Sequence, residues 1–168
     1  KTVDDEILDD FLLQLVQALR YQDEDQSELS DFLVQRACRN TLIASSLFWY
    51  LCAEIEDDAF GARAQALQKS LLVEMEAAKF DASLPVQLSL LARLRHLFES
   101  AKPYRSADAK TEHIKNLLEI GGSCEDLANF VCPNPLDPSV TLSGILPDMC
   151  FVFRSKVNPI KFSWKIAG

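Results

Sequence analysis

The sequence predicts a mainly α chain: stacked antiparallel helices of the α-solenoid type, followed by a short antiparallel β segment. Three observations carry this. Apolar residues recur at three- and four-residue spacing from about Asp4 to Ile120, and the joints between these stretches are short and polar. The stretch Pro133-Asn134-Pro135-Leu136-Asp137-Pro138 then precedes a tail of β-branched and aromatic residues, Val140 to Lys165.

The first helix is predicted from about Asp4 to Tyr21, burying Ile7, Leu8, Phe11, Leu15, Val16 and Leu19. Asp4, Asp5 and Glu6 suit the positive end of its dipole and Arg20 the negative end. Gln22 to Gln26 reads as a turn, and Ser27 or Ser30 can cap a second helix carrying Leu29, Phe32, Leu33, Arg36 and Ala37. After a break at Asn40-Thr41, a third helix continues to about Asp57 with Leu42, Leu47, Phe48, Leu51 and Ile55 inward. In Phe48-Trp49-Tyr50, two rings are expected to pack inward and one to be partly exposed.

A fourth helix spans roughly Phe60 to Lys79, and Phe80 to Leu84 forms a joint. Pro85 suits the first turn of a fifth helix that reaches about Lys102. Its apolar set is Val86, Leu90, Leu91, Leu94, Leu97 and Phe98. Pro103 to Ser106 is another joint, and a sixth helix from about Ala107 to Ile120 is ended by Gly121-Gly122. Cys124 to Ser139 reads as a linker. Val140 to Leu142, Cys150 to Arg154 and Ile160 to Lys165 read as antiparallel strands, with Ser143-Gly144 and Lys156 to Pro159 in turns. A sheet this small rarely stands alone, so the tail reads as the opening of a larger domain and the chain as a piece of a longer protein.

Composition narrows the function classes. Of 168 residues 48% are apolar and 25% charged, enough for a core and an ordinary surface. A net charge of −8 argues against a nucleic-acid partner, which needs a basic face. No window holds the ~18 apolar residues of a membrane-spanning helix. Cys38, Cys52, Cys124, Cys132 and Cys150 are scattered with no Cys-x-x-Cys pair, so zinc and redox motifs are unsupported and buried free thiols are expected.

Catalytic candidates are few. His96 and His113 have no second ligand one helical turn away, and the carboxylates at Asp4 to Asp10, Asp23 to Asp25 and Glu54 to Asp58 read as solvated helix ends. No catalytic or metal residue is assigned. The remaining candidate is Phe153-Arg154-Ser155-Lys156-Val157-Asn158-Pro159, a turn between two strands with a hydroxyl and two cations suited to phosphate oxygens. On spacing alone it equally fits a solvated basic hairpin turn.

Several ordered segments resemble the phosphatidylinositol 3-kinase family. Leu13-Gln14-Leu15-Val16-Gln17-Ala18-Leu19-Arg20-Tyr21, Asp31 to Asn40, Leu47-Phe48-Trp49-Tyr50 and Glu54-Ile55-Glu56-Asp57 resemble the later part of its helical domain. Pro135-Leu136-Asp137-Pro138, Gly144-Ile145-Leu146-Pro147 and Phe153-Arg154-Ser155 follow in the order expected where its kinase domain starts. Arg36-Ala37-Cys38, Trp49-Tyr50 and the Gly144 block are most similar to class III, the vacuolar-sorting type. Ser155-Lys156-Val157-Asn158-Pro159 leans instead toward class I.

The resemblance implies residues 1–80 as the C-terminal part of the helical (PIK accessory) domain and 81–132 as helices leading into the kinase domain. It implies 133–168 as a linker and the first strands of a kinase-like N-lobe. It further implies that Phe153, Ser155 and Pro159 line an ATP pocket, with Lys156 near the phosphates. ATP and Mg or Mn belong to the full-length parent. The parent's implied partners are a protein-kinase-like regulatory subunit, a Beclin-type subunit and phosphatidylinositol membrane, in the cytoplasm on endosomal and autophagic membranes. The family's anchoring lysine, catalytic loop and metal-binding aspartate fall beyond Lys165, so the chain alone is expected to be inactive. The rival reading is a freestanding helical adaptor whose β tail pairs with a partner's sheet edge.

Overall fold

A computed structural model describes residues 4–22 and 28–167. Residues 23–26 of the turn expected over Gln22 to Gln26, and the Ser27 cap, lie outside the described residues. The chain forms two compact units, the first running to Leu84 with Pro135–Pro138, the second comprising Pro85–Asn134 and the chain from Ser139.

In the first unit, Asp4 has extended backbone and accepts the Glu6 amide at 3.1 Å, which starts α1 (Asp5–Ala18). A 3-10 turn, Leu19–Tyr21, closes it. The buried stripe is Leu8, Leu12, Val16 and Leu19, whereas Ile7 and Phe11 are 54% and 57% exposed. That corrects the expected face. The helix is apolar on more than one side, and only a stripe centred on Leu12 faces the core.

α2 (Glu28–Ala37) buries Leu33, Val34 and Ala37, and Ser30 falls within the helix instead of capping it. Asn40 caps α3 (Thr41–Glu54) by accepting the Leu42 and Ile43 amides at 2.9 and 3.2 Å. α3 packs against α1, α2 and α4 and buries Ile43, Ala44, Leu47, Phe48 and Leu51. A helix apolar on nearly every side belongs at such a centre. Leu42, expected inside, is exposed at the first turn. Phe48 is buried while Trp49 and Tyr50 are half-buried, so one ring packs fully inward instead of two.

Asp57 accepts the Ala59 and Phe60 amides at 3.0 and 2.8 Å and leads into α4 (Gly61–Ala77). α4 ends with Lys79 at φ 52°, the Phe80 amide reaching the Met75 carbonyl and the Lys79 amide that of Glu76. This is a Schellman closure with lysine where glycine usually sits.

In the second unit, α5 (Leu84–Ala101) has Pro85 in its first turn and buries Leu90, Leu97 and Ala101. Val86, Leu91 and Phe98 of the expected face are exposed. Ser106 caps α6 (Ala107–Leu118), accepting the Ala109 amide at 3.1 Å, and Ala107, Ile114 and Leu118 are buried. α6 stops before Ile120. Glu119 is its cap, and Gly121, with φ 86°, serves the following turn.

The expected linker Cys124–Ser139 is largely ordered secondary structure. It holds a 3-10 turn (Glu125–Asn129), β1 (Val131–Asn134) and the start of β2 (Asp137–Ile145). Prolines pointed to a linker because they donate no ladder bond. Pro133 lies on the edge strand and Pro138 near the start of β2, where that loss is tolerated. Gly144, expected in a turn, is within β2. The described sheet runs β1-β2-β5, with β5 (Trp164–Ile166) antiparallel to β2 and Ile145 opposite Trp164. β3 (Phe151–Val152) and β4 (Ile160–Lys161) form a separate antiparallel pair. Cys124, Cys132, Leu127, Ile145 and Val152 join the α5 and α6 residues in this unit's core. Among the described residues the fold is therefore six α-helices followed by short antiparallel β-structure.

Candidate functional site

Residues 153–159 connect β3 to β4. Those strands pair Phe151 with Lys161 and Val152 with Ile160, so the turn leaves and re-enters a short ladder. The Phe153 amide donates to the Pro159 carbonyl at 2.9 Å and shuts the turn's mouth. Within it the Ser155 amide donates to the Phe153 carbonyl at 3.0 Å and the Asn158 amide to the Ser155 carbonyl at 3.2 Å. Asn158 has φ 45°, a left-handed conformation that asparagine tolerates better than most residues.

All four residues singled out from sequence lie on this one turn: Phe153, Ser155, Lys156 and Pro159 are exposed. Phe153 packs edge-on against Phe151 with ring centres 4.8 Å apart. Arg154 donates to both carboxylate oxygens of Asp108, at 2.8 and 3.0 Å. The two side chains are 79% and 73% exposed, so solvent weakens the pair. Among the described residues Lys156 makes no ion pair, and its ammonium is open to solvent. The arrangement can offer an apolar ring, a hydroxyl and an ammonium to a ligand at the turn.

The other candidates have structural roles. His113 has Nε2 3.2 Å from Ser100 Oγ and its ring stacks on Tyr104. His96 is exposed. Among the described residues no three His, Cys, Asp or Glu side chains gather in a metal-ligand group. The five cysteines are free thiols, and burial pushes those of Cys38, Cys52, Cys132 and Cys150 up from their ordinary pKa.

Comparison with known proteins accounts for nearly the whole chain. Residues 1–83 match the phosphoinositide 3-kinase family accessory domain (PIK domain). A phosphatidylinositol 3-kinase, root isoform, from Glycine max is 36% identical across 98% of this chain. Phosphatidylinositol 3-kinase pik3 of Schizosaccharomyces pombe is 36% identical across 92%, and phosphatidylinositol 3-kinase VPS34 of Arabidopsis thaliana 33% identical across 96%. The chain belongs to the phosphoinositide 3-kinase family. It spans 22%, 21% and 21% of the lengths of these three relatives.

The segments carrying the phosphoinositide 3-kinase likeness meet physically in the first unit. Arg20, from the first segment, donates to Asp57 at 2.9 Å and also to Glu54, both from the Glu54–Asp57 segment. Arg36 donates to Asp5 at 2.9 Å through Nε and again through Nη2, while Asn40 adds a bond to Asp5 at 3.0 Å. These bonds hold the Asp5 carboxyl below the usual carboxylate range, Arg36 contributing most. The Phe60 and Ala59 amides, then Arg20, do the same for Asp57.

Sequence reasoning missed the residues that hold the turn. Lys110 donates to Asn158 Oδ1 at 2.9 Å, and Thr111 Oγ1 accepts the Val152 amide at the same distance. They lie over forty residues before the turn, and helical periodicity marks only their helix, not its partner. The one usable signal was Asn158 itself, an asparagine before proline in a turn.

Proposed function

We propose that this chain is a non-catalytic segment of a class III-like phosphatidylinositol 3-kinase. The parent transfers the γ-phosphate of ATP to the 3-hydroxyl of phosphatidylinositol, making phosphatidylinositol 3-phosphate for endosomal sorting and autophagy. In this reading the first unit is scaffold and the 153–159 turn covers the nucleotide. The observation that carries it is similarity to phosphatidylinositol 3-kinases across 98% of the chain, turn included.

The turn's chemistry suits phosphate. Lys156 supplies an ammonium and Ser155 a hydroxyl, and Phe153 and Pro159 offer apolar surface beside them. ATP supplies the phosphoryl group. Mg or Mn would need clustered oxygen ligands, which the described residues do not gather, so no step through the ion is assigned to this chain. The whole protein would work in the cytoplasm on endosomal and autophagic membranes, with a protein-kinase-like regulatory subunit and a Beclin-type subunit.

The test is a lipid-kinase assay with labelled ATP and phosphatidylinositol vesicles. The product of the full reading frame should label the 3-hydroxyl, while this chain alone stays at the buffer level. Turnover by the chain alone would overturn its non-catalytic role. No transfer by the full product would overturn the lipid-kinase reading.

A further inference from the structure

The geometry points to Lys110 of α6 as the positioning residue of the 153–159 turn, acting through Asn158. This rests on the reading that the turn covers a nucleotide, and names what sets its shape. The Asn158 side chain is the hub. Its Nδ2 donates to the Phe153 carbonyl at 3.2 Å and to the Ser155 carbonyl, and its Oδ1 accepts from Lys110 Nζ at 2.9 Å.

An asparagine amide has two ends of opposite character, and a lysine ammonium can only donate. Lys110 therefore fixes which end faces the turn: the oxygen must point toward α6, leaving the NH₂ group for the two carbonyls. The reversed amide would set an oxygen against two carbonyl oxygens. The side chain that closes the turn is thus oriented from a helix outside it. Since Asn158 is also at φ 45°, its backbone gains from being held.

Two further contacts make the bracing specific. Thr111, the next residue on α6, takes the Val152 amide at 2.9 Å where β3 enters the turn. Beside Lys110, the side chains of Val152, Val157 and Ile160 border a small cavity of about 60 Å³ against α5 and α6. The Arg154–Asp108 pair adds little because both partners are mostly exposed. α6 itself is anchored by buried Ala107, Ile114 and Leu118. Positioning therefore runs from a packed helix face, through Lys110 and Asn158, to the carbonyls on either side of Ser155.

The consequence is that α6, which touches no nucleotide in this reading, tunes how the turn presents Ser155 and Lys156. Lys110→Met keeps the aliphatic stem and removes the donor. Lys110→Arg keeps a donor. Asn158→Gly keeps the left-handed backbone and removes the amide hub.

Hydrogen exchange on this chain tests the clamp, with the α5 amides, in the same compact unit, as an internal control for folding. K110M should exchange the Ser155 and Asn158 amides about three- to ten-fold faster, the loss of one charge-assisted hydrogen bond at a partly exposed site. N158G, which removes all three side-chain bonds of the hub, should speed the Ser155 amide at least as much. K110R should stay near wild type. Unchanged exchange in K110M, with α5 intact, overturns the proposal, whatever N158G does.

The full-length kinase carrying this segment tests the consequence. K110M should raise KM for ATP about three- to ten-fold and leave turnover at saturating ATP and KM for phosphatidylinositol unchanged, with K110R recovering it. Faster exchange without a change in ATP KM would leave the clamp standing and overturn the nucleotide-covering reading of the turn.

Discussion

Gly144→Ala is a demanding perturbation of the second unit. Gly144 sits inside β2 at φ 128°, a conformation open in practice only to glycine. A Cβ there would lie 2.6 Å from the carbonyl carbon of Ala128, closer still to its oxygen, and 3.2 Å from the Asn129 nitrogen. These are backbone atoms, so no flexible side chain can move aside. Backbone strain of about 1–3 kcal/mol adds to a similar ~1–3 kcal/mol for forcing packed elements apart. The sum, about 2–6 kcal/mol, is a large share of the ~5–15 kcal/mol that holds a typical domain together. Trp164 reports on this directly, because it pairs across the sheet with Ile145. In a Trp49→Phe background the remaining tryptophan reads only the second unit. With m near ~2 kcal/mol per molar urea, the G144A midpoint should fall by about 1–3 M. A shift under about 0.3 M would mean that Gly144 is not held as described.

Two further outcomes concern the first unit. Leu12→Ala should cost about 2–5 kcal/mol in urea unfolding read by Trp49 in a Trp164→Phe background, whereas Phe11→Ala should stay within about 0.5 kcal/mol; equal costs would return Phe11 to the core. Asp5→Asn should destabilise the unit at pH 7. The folded carboxyl is lowered from 3.8, so its stabilisation is present above that value and lost as pH falls through the folded pKa. The gap to wild type should therefore close in acid, and a gap equal at pH 7 and pH 2 would refute the pairing.

Much of the fold was legible because helices announce themselves locally. The 3.6-residue spacing, the breaks at Asn40-Thr41 and Pro103 to Ser106 and the placing of Pro85 set the described joints close to where they fall, though the caps Asn40 and Ser106 were not recognised as such. On α1 the pattern put Ile7 and Phe11 inward with Leu8 and passed over Leu12, because the two stripes, Ile7 with Phe11 and Leu8 with Leu12, are equally periodic. Only packing against α3 decides between them. The β tail was harder. Pro133, Pro138 and Gly144 are turn-forming types, yet each sits in a strand where tertiary context removes the penalty: an edge, a strand start and a close backbone approach. The turn at Phe153–Pro159 was found from its residue types and its likeness to a kinase segment. Its brace was not, because Lys110 and Asn158 are joined by the fold and by nothing in their spacing.

The exposed Ser155-Lys156 turn is proposed to contact ATP in the full-length phosphatidylinositol 3-kinase. The most direct test is the ATP KM of the full-length kinase with Lys156→Ala. Loss of one charge-assisted phosphate contact of about 1.5–3 kcal/mol predicts roughly a ten-fold or greater rise in ATP KM, with KM for phosphatidylinositol unchanged. An unchanged ATP KM, or a rise confined to the lipid substrate, would contradict the account.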